Sequence, residues 1–139
     1  MQLKRLLLLF ILACATTLVF AAIGDGNWLN HVPERERAKV NPFDNDQRAV
    51  AAGAKLFRQN CASCHGDTGA GRDKKPSLHN DRVRSASAGE LQWLLTNGSM
   101  KNGMPSWSRL PEQQRWQIVT YLKSLDTNQQ SRVASPESQ

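Results

Sequence analysis

The feature that most constrains this chain is the pentapeptide Cys61-Ala62-Ser63-Cys64-His65. It places two thiols three positions apart and an imidazole directly after the second thiol. This is the C-x-x-C-H signature of covalent c-type haem attachment. The thiols of Cys61 and Cys64 can add to the two vinyl groups of a haem while His65 reaches the iron from one face. The motif therefore predicts a haem site, with a second iron ligand further along the chain.

A close cysteine pair has two other common uses, and both stay open as alternatives. A redox site of the thioredoxin type needs a surrounding β-α-β pattern, and no convincing strand alternation is present in the sequence. A zinc site needs about four ligands, but the remaining histidines, His31 and His79, lack paired spacing. Haem attachment is the interpretation that fits these residues best.

The N-terminal segment 1–21 has the pattern of an export signal. Residues 1–5 are basic and residues 6–20 form an apolar run without charge. Val19-Phe20-Ala21 offers acceptable residues for cleavage after position 21. We therefore predict an exported, periplasmic protein.

Two alternatives concern the same segment. Residues 6–23 are just long enough to span a bilayer as an uncleaved anchor, and only in that case is the membrane a partner. Cys14 could carry a lipid, but the chain stays apolar after it, where a lipid-tethered protein would turn polar. We expect Cys14 to be removed with the signal.

The charge balance argues against nucleic acid as a partner. The formal net charge is +6, and Lys4 and Arg5 of the signal contribute to it. The other positive charges are scattered and do not alternate with aromatic residues, as they would on a nucleic-acid surface. A mildly basic protein is instead steered toward acidic protein surfaces.

Composition divides the exported part into three regions. Residues 22–44 are predicted to be an extended leader with Trp28 and Val32 as anchors on the domain, and disorder is an equal alternative. Residues 45–126 form the folded domain. The polar residues 127–139 are predicted to be a disordered tail.

Hydrophobic periodicity predicts three helices in the domain. The first is capped by Asn45 or Asp46 and ends near Asn60. The second starts at a capping box and ends at a glycine within residues 87–98. The third covers residues 111–125. An all-α domain of about 80 residues buries little core by itself, so a haem would complete it.

The first and last helices are predicted to cross at a glycine. Gly53 lies on the buried face of the first helix, where glycine costs about 1 kcal/mol relative to alanine. The close approach of another helix would explain its presence. We therefore predict that Gly53 and Phe57 pack against Tyr121 and Leu122.

An ordered set of short motifs runs through this domain. In chain order they are Gly53 and Phe57, the haem motif with Gly66, Gly69-Ala70-Gly71, Pro76-Ser77-Leu78, Gly103-Met104-Pro105 and Tyr121-Leu122. Together they resemble the class I cytochromes c over about residues 45–126. The resemblance implies a small cytochrome c fold, with three or more helices around one covalently bound haem that has His and Met axial ligands. It implies that His65 is the proximal ligand.

Three residues are candidates for the distal iron ligand: Met104, Met100 and His79. Met104 is favoured because Gly103 permits close backbone approach, and because Pro105 completes a Met-Pro element similar to that of the family. A thioether is a neutral, soft donor, and Met ligation raises the reduction potential. Met100 and His79 remain the alternatives.

The resemblance also implies residues around the haem. The carbonyl of Pro76 would accept a hydrogen bond from Nδ1–H of His65, and Leu78 would close the same side. Trp93 is either a haem contact or ordinary core, and Trp107 either donates to a haem propionate or packs structurally. Weaker propionate candidates are Arg82, Arg84 and Arg109.

An iron with both axial positions filled by protein can change charge but offers no site to a substrate. The predicted function is therefore a single-electron shuttle between redox proteins, without catalytic residues. The alternative is a haem enzyme or gas-binding protein, which requires Met104 to be labile. The sequence lacks a distal acid-base pair that would support it.

Two classes of redox partner are compatible with the sequence. The leader, the segment 93–98 and the segment 103–107 resemble small exported cytochromes associated with quinoprotein (PQQ) dehydrogenases. A general role as donor to a terminal oxidase or respiratory chain fits equally.

Overall fold

The computed structural model describes residues 28–134 of the chain. The predicted signal peptide and Cys14 lie outside the described residues, as do residues 135–139 of the predicted tail. Within residues 28–134 there are helices and two isolated β-bridges but no strand. The predicted all-α fold class is confirmed. No helix in this part of the chain combines the length and hydrophobicity needed to cross a bilayer.

Six α-helices form the described part of the chain. They are α1 (Glu34–Arg37), α2 (Gln47–Asn60), α3 (Ala62–His65), α4 (Asp81–Ser85), α5 (Ala88–Asn97) and α6 (Glu112–Ala134). Two 3₁₀ helices, Trp28–His31 and Met100–Asn102, accompany them. The largest packed pair is α2 against α6, and α5 packs on another part of α6.

The predicted starts of α2 and α5 are confirmed by their caps. The side chain of Asp46 accepts hydrogen bonds from the backbone N–H groups of Arg48 and Ala49. Ser87 and Glu90 form a complete capping box at the start of α5. Such caps satisfy N–H groups that have no partner within the helix.

The predicted crossing of α2 and α6 is also confirmed. A Cβ atom built on Gly53 would lie 2.0 Å from the backbone oxygen of Gln117 and 2.9 Å from Cβ of Tyr121. The rings of Phe57 and Tyr121 pack with their centroids 5.3 Å apart at a tilt of 54°. Leu122 packs against the core cluster, which contains neither Gly53 nor Phe57. Only glycine lets the two backbones approach this closely.

Residues 28–44, predicted as an extended leader, contain the first 3₁₀ helix and α1. Val32 is buried at 5% exposure, and Asn41 is buried at 6%. Asn41 donates from Nδ2 to the hydroxyl of Thr120 at 2.9 Å, and its Oδ1 accepts from the N–H of Phe43. The predicted anchor Val32 is thus buried, whereas the hydrogen bond from Asn41 to Thr120 joins residues 79 positions apart, a contact that the local sequence did not indicate.

Helix α6 continues to Ala134, whereas we predicted its end at Leu125 and a disordered tail from residue 127. The physical reason is the lack of a stop signal: after Pro111 the next glycine or proline is Pro136. A polar composition by itself does not end a helix, whereas proline does.

The only tyrosine of the chain, Tyr121, reports on the α2–α6 contact. Burial raises its pKa above the ordinary value of about 10, and the positive charge of Arg58 partly opposes this. Because the folded pKa is raised, this contribution to stability is present below pH 10 and is lost as pH rises through the raised value. We expect tyrosinate absorbance to develop at higher pH in the native protein than in urea.

Two variants complete this titration. Tyr121→Phe supplies the absorbance baseline, and Arg58→Ala should raise the Tyr121 pKa further because a stabilising cation is removed. Equal midpoints in native and unfolded protein would show that Tyr121 is not held in the packed contact.

Candidate functional site

The haem motif lies at the junction of two helices. Cys61 ends α2 and directly precedes α3, which consists of Ala62–His65. The backbone carbonyl of Cys61 accepts from the N–H of Cys64 at 3.1 Å and from that of His65 at 3.0 Å. This single turn fixes the spacing of the two thiols and the imidazole.

A cavity of about 770 Å³ opens beside this turn. Its lining includes Cys61, Cys64 and His65 from the motif and Met104 from a loop some forty residues later in the chain. Its volume lies in the range of about 300–1,000 Å³ that is typical of ligand and cofactor sites. The fold thus brings the predicted attachment residues and the favoured distal ligand to one cavity.

The ring of His65 is oriented by the loop that follows it. Its Nδ1 lies 3.3 Å from the carbonyl oxygen of Pro76, the contact that the resemblance implied. The loop is folded back on the motif, since the N–H of Gly71 donates to the carbonyl of His65 at 2.8 Å. Leu78 and Pro76 both line the cavity. A hydrogen bond at Nδ1 would leave Nε2 of His65 available to bind a metal ion.

The loop carrying Met104 is closed by its own backbone. The N–H of Ser99 donates to the carbonyl of Met104 at 2.8 Å, and the N–H of Met104 donates to the carbonyl of Ser99 at 3.1 Å. Between them Gly103 adopts φ 75°, a left-handed conformation that favours glycine. The predicted permissive role of Gly103 has this backbone basis.

The other two candidates for the distal ligand lie elsewhere. Met100 is 73% exposed and does not line the cavity. Nε2 of His79 lies 2.9 Å from the carbonyl oxygen of Thr68, and His79 lines a separate, much smaller cavity. Of the three, Met104 is the one that lines the large cavity.

The two cysteines of the motif differ in their exposure to solvent. Cys61 is half-buried and Cys64 is exposed. Burial, with a smaller contribution from Cys64, raises the pKa of Cys61 to about 11. Reactive redox and metal-binding cysteines instead have lowered pKa values, because the thiolate is the active form. Within residues 28–134, no group of three or more His, Cys, Asp or Glu side chains could hold a metal ion.

The comparison with known protein families agrees with this geometry. The family described as cytochrome C oxidase, cbb3-type, subunit III matches residues 48–122, from the first turn of α2 to the middle of α6. The chain belongs to this family of cytochrome c domains.

Similarity to individual proteins covers part of each chain. The cbb3-type cytochrome c oxidase subunit CcoP of Rubrivivax gelatinosus is 30% identical over 93 residues, which is 65% of this chain and 30% of that protein. The cytochrome bc1 complex cytochrome c subunit of Corynebacterium diphtheriae is 33% identical over 81 residues, which is 57% of this chain and 28% of that protein. Cytochrome c550 of Pseudomonas aeruginosa is 30% identical over 95 residues, or 63% of each. The chain spans less than a third of the first two relatives.

A cytochrome c domain carries covalent haem c, and the cavity of this one fits that group. Two thiols stand at its edge at the required spacing, and an imidazole with an oriented Nδ1 and a thioether line the same space. Much of the remaining lining is apolar, including Leu78, Val83 and Leu94. These are the donors and surroundings that a His/Met-ligated haem needs.

The two tryptophans predicted near the haem differ in position. In this cytochrome c domain Trp107 lines the cavity, and the guanidinium of Arg109 lies 4.4 Å from its ring centroid. Trp93 is half-buried and does not line the cavity, where α5 contributes Leu94 instead. Adjacent helix positions point about 100° apart, because a turn holds 3.6 residues. The cavity therefore does not support the haem-contact interpretation of Trp93.

Several cavity residues were not predicted. Trp28 and Leu94 add apolar surface, and Lys74 and Lys75 add positive charge. Of the three arginines considered for the propionates, Arg82 lines the cavity, whereas Arg84 pairs with Asp81 at 2.6 Å. Trp28 could have been found only as the large apolar residue of the leader, since no local pattern connects it to the motif.

Proposed function

We propose that this protein carries single electrons between extracytoplasmic redox partners, using one haem c held by Cys61 and Cys64 with His65 and Met104 as axial ligands. The observation that supports this most strongly is the meeting of these four residues at one cavity. The bound haem would supply the one-electron chemistry. The protein's residues fix the group and exclude other ligands from it.

Each residue has a distinct role in this proposal. Thioether bonds from the two cysteines fix the haem without ligating the iron. The Pro76 carbonyl orients His65 and increases the electron donation of its imidazole. Met104 would hold the iron through its thioether, a donor that favours the reduced state. No position is left for a substrate, so the domain transfers electrons without catalysing a reaction of its own.

Positive side chains at the cavity would steer an acidic partner toward the haem. Lys74 and Lys75 are exposed and line the cavity next to Pro76. Opposite charges on a partner would steer it to the haem with little need for a large interface, as in other weak redox encounters.

The comparisons favour respiratory partners over the quinoprotein dehydrogenases suggested by the sequence. Two of the similar proteins are named as subunits of a cbb3-type oxidase and of a bc1 complex. None of the three relatives described above is named as a quinoprotein partner. We therefore propose exchange with a membrane respiratory complex, and we place the protein in the periplasm or on the outer face of the membrane.

The proposal predicts a low affinity for external ligands. In the resting protein, Met104 must leave the iron before carbon monoxide or cyanide can bind, so binding should be slow and weak. Absorbance titration of the purified reduced and oxidised protein measures this. A pyridine haemochrome spectrum and the intact mass establish the covalent haem and the mature N-terminus first. Rapid, tight binding to the resting protein would instead identify a haem enzyme or gas-binding protein.

A further inference from the structure

A short N-terminal segment forms part of the cavity wall. Trp28 lines the cavity, and it also packs against the core cluster together with Leu29. Both belong to residues 28–37, which we call the N-terminal strap. The strap precedes the region that matches the family, residues 48–122. The strap therefore lies outside the part of the chain that the family match covers.

One side chain holds the strap in its folded shape. Arg37 donates from Nε to the carbonyl of Val32 at 3.2 Å and from Nη2 to the carbonyl of Leu29. Its Nη1 donates to Oε1 of Glu90 on α5. The planar guanidinium can reach three acceptors together because its N–H donors have fixed directions. Arg37 thus connects residues 29–32, which follow Trp28, to α5.

Glu90 is also held from within α5, by the capping box at the start of that helix. The residue is 7% exposed, and its Oε2 accepts from the N–H of Ser87 at 2.7 Å in the capping box. The hydroxyl of Ser87 also donates to the carbonyl of Arg37 at 3.0 Å. A buried carboxylate needs a charged or hydrogen-bonding partner. Arg37 therefore has a rigid acceptor on α5, and its loss would leave that acceptor underpaired.

The strap also lies so close to α5 that only glycine fits at position 89. A Cβ atom on Gly89 would lie 2.0 Å from the carbonyl oxygen of Glu36. The same helix contributes Leu94 to the cavity wall. Two parts of that wall, Trp28 and Leu94, are consequently joined through Arg37 and Glu90.

We propose that Arg37 is a positioning residue that holds Trp28 against the haem and thereby limits the contact of the haem with water. The proposal rests on the haem c site proposed above. The apolar shell of a metal site controls its solvent access and dielectric, and hence its potential. A drier shell disfavours the additional positive charge of the oxidised haem. Loss of the Trp28 contact therefore lowers the midpoint potential.

The test uses the holoprotein and three variants: Trp28→Ala, Arg37→Gln and the double variant. Spectroelectrochemical titration measures the midpoint potential of the haem. Hydrogen exchange followed by mass spectrometry measures the amide exchange rates of the strap. Arg37→Gln should speed amide exchange across residues 28–37 by about tenfold or more, since hydrogen bonds to a charged group are lost. Both single variants should lower the potential. The double variant should match Trp28→Ala, because Arg37 acts through Trp28.

Arg35→Gln is the matched control. It removes the same charge from the same helical turn, but the Arg35 side chain is 85% exposed and pairs with its neighbour Glu36. It should change neither exchange nor potential. Arg37→Lys keeps the charge without the three-way geometry and should resemble Arg37→Gln; it carries the test if Arg37→Gln does not fold.

Three results would overturn the proposal. They are an unchanged potential in Trp28→Ala, equal shifts in Arg35→Gln and Arg37→Gln, and additive shifts in the double variant. A haemochrome spectrum of the wild-type protein separates these from a failure of the proposed function. If the wild-type protein carries covalent haem and the variants keep its midpoint potential, only the positioning role is rejected. If the wild-type protein carries no covalent haem, the proposed electron-transfer function is rejected.

Discussion

Replacing Met104 by alanine is expected to abolish the sulfur-to-iron absorption band near the red end of the visible spectrum. The midpoint potential should fall by roughly 0.1 to 0.3 V, because axial ligand identity sets haem potentials over a span of about 0.8 V. The thioether favours reduced iron, and a water or hydroxide that replaces it does not. Carbon monoxide and cyanide should then bind rapidly. Absorbance spectra and redox titration of the purified variant measure all three effects.

The variant should still fold, which keeps the experiment interpretable. The Ser99–Met104 hydrogen bonds that close the loop involve backbone atoms only. Met100→Ala is the matched control: it removes the same kind of side chain from the same loop, but from a position that is 73% exposed. It should keep the band and the potential. Survival of the band in Met104→Ala together with its loss in Met100→Ala would transfer the ligand assignment to Met100.

Replacing Gly53 by alanine should destabilise the protein by about 2 kcal/mol or more, as overpacking in a rigid contact does. The added methyl group would meet the backbone oxygen of Gln117 at 2.0 Å, and a backbone atom cannot rotate away. The larger Gly53→Leu change should separate α2 from α6 and lower the melting temperature further. For a domain of this size, each 1 kcal/mol corresponds to about 4–8 °C. Thermal unfolding followed by circular dichroism measures the loss.

The sign of this effect distinguishes packing from helix propensity. At an open position of a helix, alanine is more favourable than glycine by about 1 kcal/mol. The exposed Ala51, on the same helix, supplies the control: Ala51→Gly should cost only that propensity difference. If Gly53→Ala were instead as stable as the wild-type protein or more stable, the close crossing at Gly53 would be wrong.

The sequence was informative wherever local chemistry determines structure. Asp46 and the Ser87 capping box identify helix starts because their side chains bond to backbone groups two or three residues away. Gly53 indicated a helix crossing because a glycine on a buried face needs a steric reason. The haem motif and Met104 were recognisable because their spacing and neighbours are specific, and the fold brings them to one cavity.

The rest depends on contacts between distant residues. The charged run around Arg37 resembles a solvated surface until Glu90, more than fifty residues later, is seen to lie beside it. Leu94 lines the cavity and Trp93 does not because of the way α5 is rotated about its axis. The short apolar stretch of α5 does not predict that rotation. Trp28 reaches the cavity only through the fold of the strap. No periodicity within these segments carries that information.

The closed loop that presents Met104 bears on how fast the haem could exchange electrons. Two backbone hydrogen bonds and the left-handed Gly103 fix the backbone that presents the Met104 side chain. The imidazole of His65, the other proposed ligand, lies with its Nδ1 3.3 Å from the carbonyl oxygen of Pro76. We therefore expect bond lengths at the iron to change little between oxidation states. A small reorganisation energy follows, so that a brief encounter with a partner is long enough for transfer.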